Sequence, residues 1–95
     1  MTDQDTENEA AAAVEAARTI DMLRGQIDAL DESIIQLVAE RAAVSARVQA
    51  ARMNTGGTRV ELGRERVVLD HYRAELGARG PALAESILRV CRGER

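Results

Sequence analysis

Phenylalanine and tryptophan are missing from the 95 residues, and tyrosine occurs once, as Tyr72. Sheets draw heavily on aromatic and β-branched side chains, so a β-sandwich or barrel is a poor fit and any core has to be aliphatic and helical. Lysine is missing as well, which makes all 13 basic residues arginine. Coding bias accounts for the larger share of that choice, while the planar guanidinium also suits two-pronged recognition of carboxylates. Cysteine is limited to Cys91, which excludes an intrachain disulfide and a cysteine-rich metal site. No apolar run reaches membrane-spanning length, and the N-terminus is acidic ahead of any apolar stretch. Neither a membrane segment nor a signal or transit peptide is therefore expected, and the setting expected is the cytoplasm.

The charge that is there is unevenly spread. Asp3, Asp5, Glu7, Glu9 and Glu15 all precede the first base, Arg18; from that point 11 acids face 13 bases, a local net of +2 within an overall −3. That excess is too small, and aromatics are too few, for a nucleic-acid surface, but it suits a small anionic ligand. A chain this short lies near the lower limit at which one core is self-sufficient, so association with further copies is expected.

Residues 1–17 are acidic, alanine-rich and almost without large apolar side chains. They read as a disordered tail ahead of a helical domain over residues 18–95, with Ala10–Ala17 able to extend the first helix by propensity alone. From Ile20 to Arg52 apolar residues recur three and four apart, at Ile20, Leu23, Ile27, Leu30, Ile34, Leu37, Val44, Val48 and Ala51, an a/d seam. The spacing predicts a helix capped near Thr19 and ended by Asn54-Thr55-Gly56-Gly57. Its roughly 34 residues would span about 50 Å, far more than the radius of gyration of about 12 Å for a compact domain of this size. It must pack on something else, most economically a second copy. A second helix starts between Thr58 and Glu61 and closes at Leu76-Gly77, and Gly80-Pro81 opens a third that Gly93 ends. The fold class is all-α, with one long helix and two shorter ones per chain.

Arg41 breaks the seam where an apolar residue belongs. It could snorkel from an interface, or it could face a ligand. Arg52 follows eleven residues later, about three turns plus 20° and roughly 16 Å along the axis, so the two heads can converge on one anion. Arg24 lies seventeen residues before Arg41, roughly 25 Å away and about 100° round. It cannot join that pocket within one chain but could enter a partner's; alternatively it pairs with Asp28 on the surface. Arg64 and Glu65 fit an ordinary charged first turn, Glu61 fits a capping box with Thr58, and Arg89 and Arg92 fit the negative end of the last helix. His71 reads as a surface residue and Cys91 as small core filling. No nucleophile–base, metal-ligand or phosphate-loop pattern is present, so no metal or cofactor is expected, and electrostatic preorganisation is the better-supported chemistry.

Taken together these residues resemble a family, the small all-helical intracellular chorismate mutases. The resemblance runs from Ile20 to Gly93 and rests on linked motifs: Ile20-Asp21-Met22-Leu23-Arg24-Gly25-Gln26-Ile27-Asp28, then Leu37-Val38-Ala39-Glu40-Arg41, then Arg52-Met53. Gly56-Gly57-Thr58-Arg59, Arg64-Glu65 and Leu88-Arg89-Val90-Cys91-Arg92-Gly93 are similar to the short stand-alone subclass. The resemblance implies an intertwined helical homodimer whose two sites are each completed by an arginine of the other chain. It implies rearrangement of chorismate to prephenate, in which one C–O bond breaks as a C–C bond forms, in the pathway to phenylalanine and tyrosine. It further implies activation by complex formation with DAHP synthase, through the segment Arg92-Gly93-Glu94-Arg95.

Carried over by residue, the resemblance makes Arg52, Arg92 and Glu65 catalytic. Arg24, Arg41, Arg64, Glu61 and Leu88 bind substrate. Arg24 of the partner subunit and Arg52 would hold the enolpyruvyl carboxylate, and Arg41 the ring carboxylate. Arg52 and Arg92 would face the ether oxygen, and Glu65 would accept from the ring hydroxyl beside Arg64. Lysine is usual in the family where this chain has Arg52, glutamine or glutamate where it has Arg92, and a small polar residue where it has Leu88. Relatives acting as isochorismate-pyruvate lyases or on 4-amino-4-deoxychorismate share this pattern. A non-catalytic helical regulatory dimer is the alternative from outside the enzymes.

Overall fold

The structure is a computed structural model that describes residues 3–56 and 61–94. Three helices make it up: α1 (Asp3–Asn54), α2 (Leu62–Leu76) and α3 (Gly80–Cys91), with no strand among the described residues. The contacts divide the chain into a unit ending at Ile34 and one beginning at Ile35, which are taken in turn.

The first unit is the N-terminal part of α1. It begins at Asp3 rather than at Thr19, so residues 3–17, expected as a tail, are described as helical turns. Alanine at 10–13, 16 and 17 is the best helix former, and Asp3 and Asp5 in the first turn meet the positive end of the helix dipole. Thr19 does not cap: its Oγ1 donates back to the Glu15 carbonyl at 3.0 Å, the bond that a threonine inside a helix makes. The seam is uncovered, with Ile20 46% and Leu30 61% exposed.

The second unit holds the end of α1 together with α2 and α3. The two short helices meet on Val68, Ala84 and Leu88, all buried, with Leu69 and Tyr72 packed against them. Their approach depends on Gly80, where a Cβ would collide with the Tyr72 carbonyl. Gly77, at φ 85°, ends α2 and donates its N–H to the Arg73 carbonyl at 2.9 Å; glycine takes that left-handed turn without steric cost. Gly80 and Pro81 open α3 as the sequence predicts. The start of α2 differs from expectation. Glu61 occupies the N-cap position with no side-chain cap bond, whereas a capping box would put it three residues into the helix; Thr58, the expected cap, lies outside the described residues. No described helix is long and apolar enough to cross a membrane.

Candidate active site

Along α1 the residues that are not fully exposed are Val38, Arg41, Ala42, Ser45, Gln49 and Arg52. Their spacing of three and four puts them on one helix face, roughly 90° round from the seam residues Leu37, Val44 and Val48. Arg41 thus stands on the border between two faces, which is why it interrupts the seam. The face it opens lines a cavity of about 660 Å³, closed on the other side by residues of α2 and α3.

Seven of the eight residues named from the sequence line this cavity: Arg41, Arg52, Glu61, Arg64, Glu65, Leu88 and Arg92. The eighth, Arg24, belongs to the N-terminal unit and is exposed. Four guanidiniums against two carboxylates give the lining a net charge of +2. Leu88 reaches the cavity from the small core below it.

Arg41, Arg52 and Arg92 are each held in place. Arg41 Nη1 donates to Cys91 Sγ at 3.1 Å. Cys91 is therefore more than core filling; it is half-buried, faces the cavity and orients a guanidinium. Arg52 Nη2 lies 3.4 Å from Glu61 Oε2, so Arg52 engages the carboxylate that the sequence assigned to a capping box. Arg92 binds three carboxylates, with Nη1 2.5 Å from Glu65, Nε 2.8 Å from Glu94 and Nη2 3.7 Å from Glu85. The hydrogen bond with Glu94 raises the Arg92 pKa above its ordinary value; partial burial opposes the rise, and the charges of Glu65, Glu94 and Glu85 add to it. Arg92 is consequently a permanent cation.

Sequence reasoning missed Gln49, Ser45 and the role of Cys91. The first two could have been found by following a helical period from Arg41 through residues 45 and 49 to Arg52, instead of following the apolar seam. His71 is exposed and outside the lining. Among the described residues no group of three or more histidine, cysteine, aspartate or glutamate side chains could hold a metal ion. What the site offers chemically is an anion-binding wall of four guanidiniums with two carboxylates, Glu61 and Glu65, among them.

Residues 23–92 match the family model described as chorismate mutase type II. The chain belongs to that family. This chorismate mutase family is one of isomerases, and the matched span takes in every residue assigned to the site. The chain is 40% identical over 89 residues to the intracellular chorismate mutase of Mycolicibacterium smegmatis, covering 94% of this chain and 86% of that protein. It is 49% identical over 74 residues to the intracellular chorismate mutase of Mycobacterium tuberculosis, covering 78% and 70%. A solved non-covalent complex of DAHP synthase and chorismate mutase from Corynebacterium glutamicum, with a bound transition-state analogue, contains a chain similar to this one. The TM-score is 0.79 and the identity 36%, over 84% of this chain and 96% of that one.

Proposed function

We propose that this chain rearranges chorismate to prephenate within the cavity, acting in the cytoplasm as a homodimer with residues 18–95 as its catalytic domain. The observation that carries the reading is the convergence of Arg41, Arg52, Arg64 and Arg92 on one cavity of net charge +2, complementary to a dianionic dicarboxylate, in a chain of this family.

The reaction is intramolecular, so the protein supplies no nucleophile. Its tasks are to hold the substrate in its compact pseudo-diaxial shape and to stabilise negative charge growing on the ether oxygen. Arg41 takes the ring carboxylate, and Arg52 takes the enolpyruvyl carboxylate together with Arg24 of the partner subunit, each through charge-assisted hydrogen bonds. Arg52 and Arg92 donate to the ether oxygen. Glu65 accepts from the ring hydroxyl, with Arg64 beside it balancing charge. Glu61 holds Arg52 until substrate arrives, and Leu88 forms the apolar floor.

The dimer is supported by the uncovered seam, whose leucines and isoleucines contribute about 1.5–3 kcal/mol each when buried. A second copy also brings a different Arg24 within reach. Complex formation with DAHP synthase is supported by the Corynebacterium glutamicum assembly and by the state of Arg92. A guanidinium engaged by Glu65, Glu85 and Glu94 has to be released toward the ether oxygen, and docking at the C-terminal segment can shift that balance.

The test is loss of chorismate absorbance on adding purified protein, alone and with DAHP synthase, repeated with Arg52→Ala and Arg41→Ala. Turnover that rises with the synthase and drops by about 100-fold or more in Arg52→Ala is the expected result. No turnover under either condition overturns the assignment.

A further inference from the structure

Two polar side chains of the cavity wall, Ser45 and Gln49, are assigned by neither the family match nor the charge pattern, and Gln49 is the one with a buried unpaired atom. Gln49 lies on the α1 face that carries Arg41 and Arg52, lines the cavity, and has its amide nitrogen buried without a hydrogen-bond partner. A buried amide donor left unpaired is unfavourable, and methionine or leucine would fill the same place with no such group to satisfy. Three of the wall's guanidiniums have partners, Arg41 with Cys91, Arg52 with Glu61 and Arg92 with Glu65, and among the described residues the Gln49 amide nitrogen is the buried side-chain polar atom left without one.

We propose that Gln49 is a further substrate-binding residue, whose amide donates to a carboxylate oxygen of the bound dicarboxylate next to Arg52. This rests on the function proposed above. Gln49 and Arg52 are three residues apart, neighbours on the helix surface and one turn of the axis or less from each other, so an anion gripped by Arg52 lies within reach of the amide. The terminal torsion of glutamine is soft, and a turn about it brings the NH2 group to a ligand oxygen. The amide adds a donor without adding charge, which suits a wall whose cations already match a dianion. A donor present before and after bond rearrangement stabilises substrate and transition state alike, so it acts on KM more than on kcat.

The experiment compares wild type, Gln49→Met and Gln49→Glu in steady-state turnover of chorismate, together with thermal unfolding of each protein without ligand. Gln49→Met is expected to raise KM about tenfold, as loss of a hydrogen bond to a charged group does, with kcat changed much less. Its unfolding temperature should be equal to wild type or higher, because the orphan amide is gone. Gln49→Glu is expected to raise KM further by repelling the dicarboxylate. An unchanged KM in Gln49→Met, with wild type active, overturns this inference and leaves the proposed function standing. A KM increase accompanied by a lower unfolding temperature also overturns it, since that is the behaviour of a structural residue. Failure of wild type to turn over chorismate sinks the proposed function and this inference with it.

Discussion

Nη1 of Arg92 lies 2.5 Å from Oε1 of Glu65, so the side chain proposed to face the ether oxygen and the one proposed to accept from the neighbouring ring hydroxyl are bound to each other. Under the proposed roles a substrate hydroxyl competes with Arg92 for Glu65, and the ether oxygen competes with Glu65 for Arg92. Glu94 adds a second competitor at Nε, 2.8 Å away.

Removing that second competitor should loosen the hold on Arg92. Glu94 is about half exposed, where ion pairs contribute roughly 0.2–1 kcal/mol, so Glu94→Gln is expected to raise kcat/KM of the chain alone by up to about fivefold. Activation by DAHP synthase should shrink correspondingly. Steady-state kinetics with and without the synthase provide the check, and a fall in the unassisted rate would show that Glu94 positions Arg92 productively.

The proposed chemistry uses guanidiniums, and this carries a pH signature. The Arg92 pKa is raised by its bond to Glu94 and by neighbouring carboxylates. A cation with a raised folded-state pKa contributes its full stabilisation below its unfolded pKa and loses it only as pH rises through the folded one. For arginine both lie beyond the working range, so no alkaline decline in rate or stability from this group is expected up to about pH 10. Arg52→Lys should introduce one, with an apparent pKa near 10, visible in a kcat/KM profile that wild type lacks.

The shared site proposed above, with Arg24 supplied by a second copy, predicts complementation. Arg24→Ala and Arg52→Ala homodimers should each be nearly inactive. A heterodimer of the two has one pocket with both arginines and one with neither. Equal mixing after subunit exchange makes about half of the dimers mixed, and activity should recover to about a quarter of wild type. The assay is turnover before and after exchange, and no recovery would remove Arg24 from the partner's pocket.

Gly80 is the point where α2 and α3 approach most closely. Gly80→Ala forces a Cβ against the Tyr72 carbonyl, and overpacking of that kind costs about 1–3 kcal/mol. At roughly 4–8 °C per kcal/mol for a domain of this size, thermal unfolding followed by circular dichroism should show a drop of several degrees or more. Activity should fall as well, because Glu65 and Arg92 lie on either side of that junction.

Helix type and order were legible in the sequence because they rest on local chemistry. Gly80-Pro81 and Gly77 mark their turns through backbone conformation alone, and the aliphatic 3–4 repeat leaves no alternative to helix. The start of α1 lies earlier than the Thr19 cap suggested, for an equally local reason: the alanine run that could extend the helix by propensity does so, and α1 begins at Asp3. Glu61 and Cys91 were misread because each has a sufficient local explanation, a cap in one case and core filling in the other. Their actual partners, Arg52 and Arg41, lie far away in sequence or across helices.

By itself the sequence determined that this protein is helical, that its long helix carries an apolar seam, and which arginines stand out from their surroundings, since periodicity and composition act residue by residue. Only the tertiary structure decided that Arg41 turns away from the seam onto a second face. It also decided that Arg92 is engaged by three carboxylates at once, and that Gln49 is left with a buried donor and no partner. Those are statements about which groups meet, and side chains from different helices meet only once packing has fixed the space between them.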